Sequence, residues 1–370
     1  MTQRRRGLVK ATGLVAAISL GAVLPGTVGA FASAGHVTKQ AKKVKIALIQ
    51  LQAAPLTTQM DLGAELAASQ YGATFVAQGP STVDPSAEAT AEQSDLSAGF
   101  NGLIVDSAAA PALFTHPDES ATKDGISVVD IDGGDPGTAY APLLVAVARQ
   151  GLGAALAEQF AAKLGPNAKG FIQPGICTPG LSVLTAVITG FSREMKKLEP
   201  NVTIKSSFDT TNPTGTNYTA WEQIVREEPT ALGFFGPCDQ DAPNLLKIKE
   251  GSPHSKYLIG NVSGDSVSVL QGIKSGYVTS IIGQNGFVQG YVAAKFLLAH
   301  LVDGKKIPVG WLNAGDEVVT KSNVNAAIAI RQTTSETKLY NYYKTDITNA
   351  LNQASAPLPD SEETTTLSTS

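Results

Sequence analysis

From residue 44 onward, short apolar runs alternate with stretches of helical period, and this alternation limits the fold more than any other feature. Apolar runs at 44–51, 74–77, 102–105 and 126–131 are interleaved with helical spacing over 58–71 and 87–99. In the first of those helices Met60, Leu62, Leu66 and Ala67 recur on one face, and Gly72 stops it. A Gly- and Pro-rich loop at 133–142 breaks the rhythm, 143–147 resumes extended structure, and 151–164 reads as a helix. The pattern then restarts, with strands at 170–173, 202–206, 231–235, 256–259 and 276–282 and helices at 181–198, 219–227, 242–250 and 287–302. Residues 309–320 read as extended. Strands that are apolar throughout and followed by a helix are buried on both faces and joined by crossovers, which makes them parallel. Two such arrays predict an α/β protein of two similar doubly wound lobes with parallel sheets.

Residues 1–34 stand apart: Arg4, Arg5, Arg6 and Lys10 precede an apolar run at 14–24, and Ala32-Ser33-Ala34 offers a small-residue cleavage site. This is the pattern of a secretory signal cut after Ala34, with Arg5-Arg6 fitting the twin-arginine route and the general secretory route as the alternative. The expected location is therefore outside the cytoplasm, periplasmic or extracellular. At the other end, residues 354–370 are rich in Ser, Thr, Pro and Glu and are expected to be disordered. The net charge of −4 comes without a basic stripe, which argues against nucleic acid as a partner. Four scattered histidines show no ligand spacing, so no metal site is expected. Phosphate-loop and nucleophile-elbow motifs are absent, no cofactor is indicated, and an enzyme is the least favoured class.

Polar residues close the apolar runs: Gln50 and Gln52 after the first, then Asp106, Asp132, Gln173, Asp239 and Gln284. Each aspartate alone reads as a turn former or helix cap. If both sheets aim their carboxyl edges at one cleft, the set converges on a small polar ligand, with Tyr140 and Asn212 completing the candidate contacts. The stretch 231–242, ALGFFGPCDQDA, carries Asp239 and one of only two cysteines. Phe234 and Phe235 in it read as core rather than as a stacking platform.

The ordered pieces KIALIQLQAAP, AGFNGLIVDSA, GISVVDIDGGDP, Gly190-Phe191, GFFGPCDQDA, YLIGNVSGD, GIKSGYVTSIIGQNGFVQGY, LVDGKKIP and VVTKSNV resemble the type I periplasmic sugar-binding proteins of ABC transporters, the ribose- and galactose-binding group. The resemblance spans about residues 43–324. It implies three hinge crossings, near 146–149, 284–285 and 315–320, with lobe one at 43–146 plus 285–314 and lobe two at 147–284 plus 315–345. It also implies a monomer that captures a sugar, polyol or related solute between its lobes and delivers it to a membrane ABC permease. A sensor of the same fold, feeding a membrane kinase or chemoreceptor, is the alternative. Asp132, Asp239 and Gln284 match the family's ligand contacts, but other positions depart from it. Leu56 and Thr57 stand where the family has aromatics, Gly133 and Thr185 where it has arginines, Val262 where it has an aspartate, and Cys238 where it has a polar residue. In this fold the turns bearing Cys177 and Cys238 both lie on the cleft side of lobe two, and a disulfide between them is expected.

Overall fold

The computed structural model describes residues 43–108, 111–134 and 137–359; the signal expected at 1–34 lies outside them. The first lobe begins with β1 (Lys45–Ile49), α1 (Pro55–Gln70), β2 (Thr74–Gln78), α2 (Pro85–Ser97), β3 (Gly102–Val105), α3 (Thr115–Lys123), β4 (Ser127–Ile131) and β5 (Leu143–Ala146). The second lobe follows as α4 (Arg149–Leu164), β6 (Gly170–Ile176), α5 (Ser182–Leu198), β7 (Val202–Ile204), β8 (Phe208–Asp209), α6 (Thr214–Glu227) and β9 (Gly233–Gly236). It continues through α7 (Asp241–Glu250), β10 (Leu258–Val262), α8 (Val267–Ser275) and β11 (Ser280–Gly283). The chain ends with α9 (Gly286–Asp303), β12 (Gly310–Asn313), β13 (Glu317–Val319), α10 (Val324–Arg331) and α11 (Glu336–Asn352).

The two sheets repeat one strand order. The first runs β2-β1-β3-β4-β5-β12 with every pairing parallel. The second runs β7-β6-β9-β10-β11-β13, parallel except for β13, with β8 extending the end of β6. The two-lobed parallel α/β expectation therefore holds. Alternation within each strand feeds both faces: Ile46 and Leu48 pack under α1 and α9, while Ala47 and Ile49 join the core beneath α2 and α3. In β9, Phe235 stacks on Phe191 at 4.0 Å between ring centres, and Phe160 meets Phe191 edge-on at 5.4 Å. Phe234 points to the other face, toward Trp221 and Tyr257. Gly233 and Gly260 leave the room that the Phe160 ring fills, since a methyl at Gly260 would lie 2.5 Å from it. Each fully buried ring of this kind contributes roughly 1.5–3 kcal/mol through area removed from water.

Both lobes also bring one pair of helix backbones into direct contact through glycines. A Cβ at Gly290 of α9 would lie 1.9 Å from the Met60 carbonyl oxygen of α1, and one at Gly153 of α4 would lie 1.9 Å from the Val187 carbonyl oxygen of α5. No side chain fits between these helices. Gly63 and Gly190 occupy the reciprocal positions.

The chain passes between sheets at 147–148, at 284–285 and at 314–316. Asn285 adopts a left-handed φ of 47° and donates from Nδ2 to the Ala314 carbonyl at 3.1 Å, which ties the second passage to the third. Several differences from the sequence reading concern helix ends and the C-terminal region. Pro55 is the first residue of α1, ahead of the helical spacing read from 58, and Pro85 is the first residue of α2 behind an Asp84 cap. The short helices α3 and α8 were not read; Gly276 closes α8 in a left-handed turn, so the strand placed at 276–282 begins only at 280. The extended reading at 309–320 resolves into β12 in one sheet and β13 in the other. Residues 315–345 were assigned to lobe two, but α11 packs on α9 and α1 of the first lobe through Leu339 and Tyr343. Residues 354–359 are not disordered: Ala356 exchanges backbone hydrogen bonds with Trp311 and covers the outer edge of β12. The remainder of that tail, 360–370, lies outside the described residues.

Candidate functional site

The carboxyl ends of both sheets face one cleft, and the loops that leave them line a cavity of about 100 Å³. From the first lobe come Gln52 after β1, Thr57 in the first turn of α1, Asp106 after β3 and Asp132 after β4. From the second come Thr178 after β6, Asn212 after β8, Asp239 and Gln240 after β9, and Ser263 after β10. The passages between lobes supply Arg149 and Gln284. Among the described residues the remaining lining is aliphatic, chiefly Leu51, Leu56, Leu181 and Leu184, and contains no aromatic ring.

Local chemistry fixes these loops. Asp132 and Ser263 occupy corresponding places after β4 and β10, and both have left-handed backbones, at φ 62° and 72°. Left-handed φ at a residue other than glycine is uncommon and collects at sites where the surroundings over-determine it. The turn after β9 is shaped by Asp241, whose carboxylate accepts from the Cys238 amide at 3.1 Å, Trp221 Nε1 at 2.8 Å and Asn217 Nδ2 at 2.8 Å. Cys177 and Cys238 form the expected disulfide, with Cα atoms 6.2 Å apart, and so pin the β6 and β9 turns together. Gln240 donates from Nε2 to both the backbone oxygen and the side-chain oxygen of Asn212, each at 2.7 Å, which holds Asn212 at the rim.

Arg149, 5 % exposed, is the electrostatic centre of the cleft. Its guanidinium donates to the Asp132 carboxylate and to Gln284 Oε1, and to the Asp132 carbonyl at 2.8 Å. It therefore binds the end of β4, the first interlobe passage and the second passage into one cluster. Asp106, 2 % exposed, has no such partner; it accepts the Ala108 amide at 3.4 Å. Burial first, and then the Asp132 carboxylate, push the Asp106 carboxyl well above the usual range, against the opposing pull of the Ala108 amide and Arg149. Across the cleft Asp239 accepts from the Ser263 hydroxyl and from the Gly264 amide at 3.0 Å. Burial raises its pKa as well, with Asp265 and Asp132 adding to the effect and the two donors opposing it.

Of the nine residues singled out from sequence, Gln52, Asp106, Asp132, Asn212, Asp239 and Gln284 line the cavity. Gln50, Tyr140 and Gln173 are not among its lining residues. Gln50 turns to α1 and donates to the Asp61 carboxylate at 2.5 Å, and Gln173 donates to the Ser206 carbonyl at 2.9 Å, so both serve strand-end packing. Tyr140 sits in the loop before β5, half-buried. Arg149 was missed. The sequence signal for it is an arginine directly behind the apolar run 143–147, at the start of a helix where a cation has no capping role. Ser263 and Gln240 carry no comparable signal, because Ser and Gln in loops are common.

Comparison with known proteins adds three findings. The periplasmic binding protein domain family matches residues 46–306. An ABC transporter solute-binding protein from Burkholderia graminis, in complex with D-arabinose, is similar with a TM-score of 0.70 and 23% identity, over 78% of this chain and 99% of that one. An ABC transporter solute-binding protein from Agrobacterium vitis, bound with α-D-tagatopyranose, gives 0.69 and 23% identity over 78% of this chain and 98% of its own. One from Actinobacillus succinogenes, with bound D-allose, gives 0.68 and 21% identity over 77% and 100%. No curated protein matches the sequence.

Proposed function

Because the chain belongs to the periplasmic binding protein domain family, we propose that it is an exported receptor that captures a small carbohydrate-like solute between its lobes and delivers it to an ABC importer. It acts by binding rather than by catalysis, as a monomer outside the cytoplasm, and the membrane permease is its protein partner. The observation that carries this reading is the convergence of Asp106 and Asp132 from one lobe, Asp239 and Asn212 from the other, and Arg149 with Gln284 from the passages between them. A solute touched from both sides interacts more strongly with the closed arrangement than with an open one, so it shifts the population toward closure. The closed shape is what a permease can read. Three structural relatives hold arabinose, tagatose and allose, which supports a carbohydrate-like ligand for this cleft as well.

The test is a thermal-shift screen of the mature chain against pentoses, hexoses, alditols and amino sugars. A bound solute at a hundredfold excess over Kd raises stability by roughly 2.7 kcal/mol. Failure of every such compound to move the melting temperature refutes the assignment.

A further inference from the structure

The charge in the cleft does not balance for a neutral sugar. Three carboxylates line the cavity, Asp106, Asp132 and Asp239, against one cation, Arg149. That cation is already engaged: it holds the carboxylate and carbonyl of Asp132 and the side-chain oxygen of Gln284. Asp106 and Asp239 remain, one on each lobe, and among the described residues no lysine, histidine or second arginine lines the cavity with them. The groups around them deepen the deficit. Asp106 faces Asp132, Arg149 and, from α2, the buried Glu88. Asp239 faces Asp132 and Asp265, and Asp265 is itself taken by Arg331 at 2.9 Å. Closing the lobes over a neutral polyol strips water from two carboxyl groups and returns only hydroxyl donors, whereas an ammonium returns charge-assisted hydrogen bonds to both. The aliphatic lining offers no aromatic face to take up a cation, so the carboxylates are its only counterparts.

Resting on the reading that this cleft captures a polar solute, we propose that the solute carries a protonated amine on a small hydroxylated frame, as in an amino sugar or aminated alditol, held between Asp106 and Asp239. The ammonium donates to carboxylate oxygens from both lobes, and the hydroxyls meet Gln52, Asn212 and Gln240. Leu56 and Leu181 pack on its carbon skeleton.

Isothermal titration of the mature chain with matched pairs decides the matter: glucosamine against glucose, galactosamine against galactose, and 1-amino-1-deoxysorbitol against sorbitol. At least one amine is expected to bind on the order of tenfold or more tighter than its neutral twin. Asp239→Asn should abolish the preference. Equal or tighter binding of the neutral twins overturns the amine assignment and leaves solute capture standing. Binding by neither member of any pair overturns the amine assignment, and the wider melting screen then decides whether solute capture stands. The wild-type comparison needs no variant, so a misfolded Asp239→Asn protein leaves the test intact.

Discussion

Helix α2 buries Glu88 and Glu92 completely, at 0 % exposure, and the charged groups acting on them are all acidic: Asp106 for Glu88, and Asp118, Asp130 and Asp95 for Glu92. Burial is the largest influence, and the neighbouring carboxylates add to it, so both glutamates are held far above their ordinary value of 4.5. The sign follows from linkage. Above about pH 4.5 the unfolded chain gives up these protons while the folded chain keeps them. The folded form then binds more protons, and stability falls as pH rises toward the folded pKa. Each group loses about 1.4 kcal/mol per pH unit, so Glu92 alone lowers stability by roughly 4 kcal/mol between pH 4.5 and 7.5.

Glu92→Gln keeps the shape and removes the ionisation. It is expected to lie between equal to the wild type and about 2 kcal/mol below it near pH 4.5, according to the cost of burying an amide there, and to exceed it by about 2–4 kcal/mol at pH 7.5. Urea unfolding of both proteins across pH 4.5–8.5, followed by far-UV circular dichroism, measures the gap. A gap that stays constant with pH, or a variant less stable at pH 7.5, refutes the argument that Glu92 is buried in its neutral form. The effect bears on binding because Val83, just ahead of α2, lines the cleft, so loosening of α2 at high pH reaches its rim.

Removing the Cys177–Cys238 bond, which spans 61 residues of sequence, should destabilise the protein by about 4 kcal/mol in the chain-entropy account; paired melts of wild type and the double serine variant, with and without reductant, test it. Gly290→Ala places a methyl against the Met60 carbonyl and should lower stability by about 3 kcal/mol, whereas Gly215→Ala in α6, with open space at that position, should be neutral or slightly stabilising. Equal melting temperatures for these two glycine variants would count against close backbone packing of α1 and α9. Arg149→Ala leaves the buried Asp132 without its cation and should lower stability by about 3–5 kcal/mol, while Arg149→Lys should recover part of that loss; chemical denaturation of the three proteins distinguishes a charge effect from loss of packing alone.

Much of the fold is legible because the strands are apolar on both faces and short. The runs at 102–105 and 143–147, for instance, admit no amphipathic reading, and the helices between them leave only parallel pairing. What escaped was local. The nine-residue helices α3 and α8 are too short for their periodicity to stand out, and Pro55 and Pro85 signal both a turn and a helix start. The return of α11 to the first lobe depends on which face Leu339 and Tyr343 meet, which only the packed core decides. In the cleft, aspartates at strand ends were legible one by one, because a polar residue that terminates an apolar run is visible. Gln50 and Gln173 share that signature yet turn aside to Asp61 and Ser206. Direction, which sequence position does not encode, separates them from Gln52 and Asp239.

The arginine that escaped notice also explains how the departures from the family pattern fit together. By the sequence resemblance, Gly133 and Thr185 stand where the sugar-binding group is expected to carry arginines. The guanidinium present in the cleft enters from the first interlobe passage and faces the protein's own Asp132 and Gln284. A cation in that position neutralises one carboxylate and joins two of the passages between the lobes, while Asn285 joins the second passage to the third through the Ala314 carbonyl. The one guanidinium among the described lining residues is thus spent on the protein's own groups. Asp106 and Asp239 are left in the cleft without a further cation among the described lining residues. On the proposal that the solute carries an amine, closure over it and ion pairing become the same event.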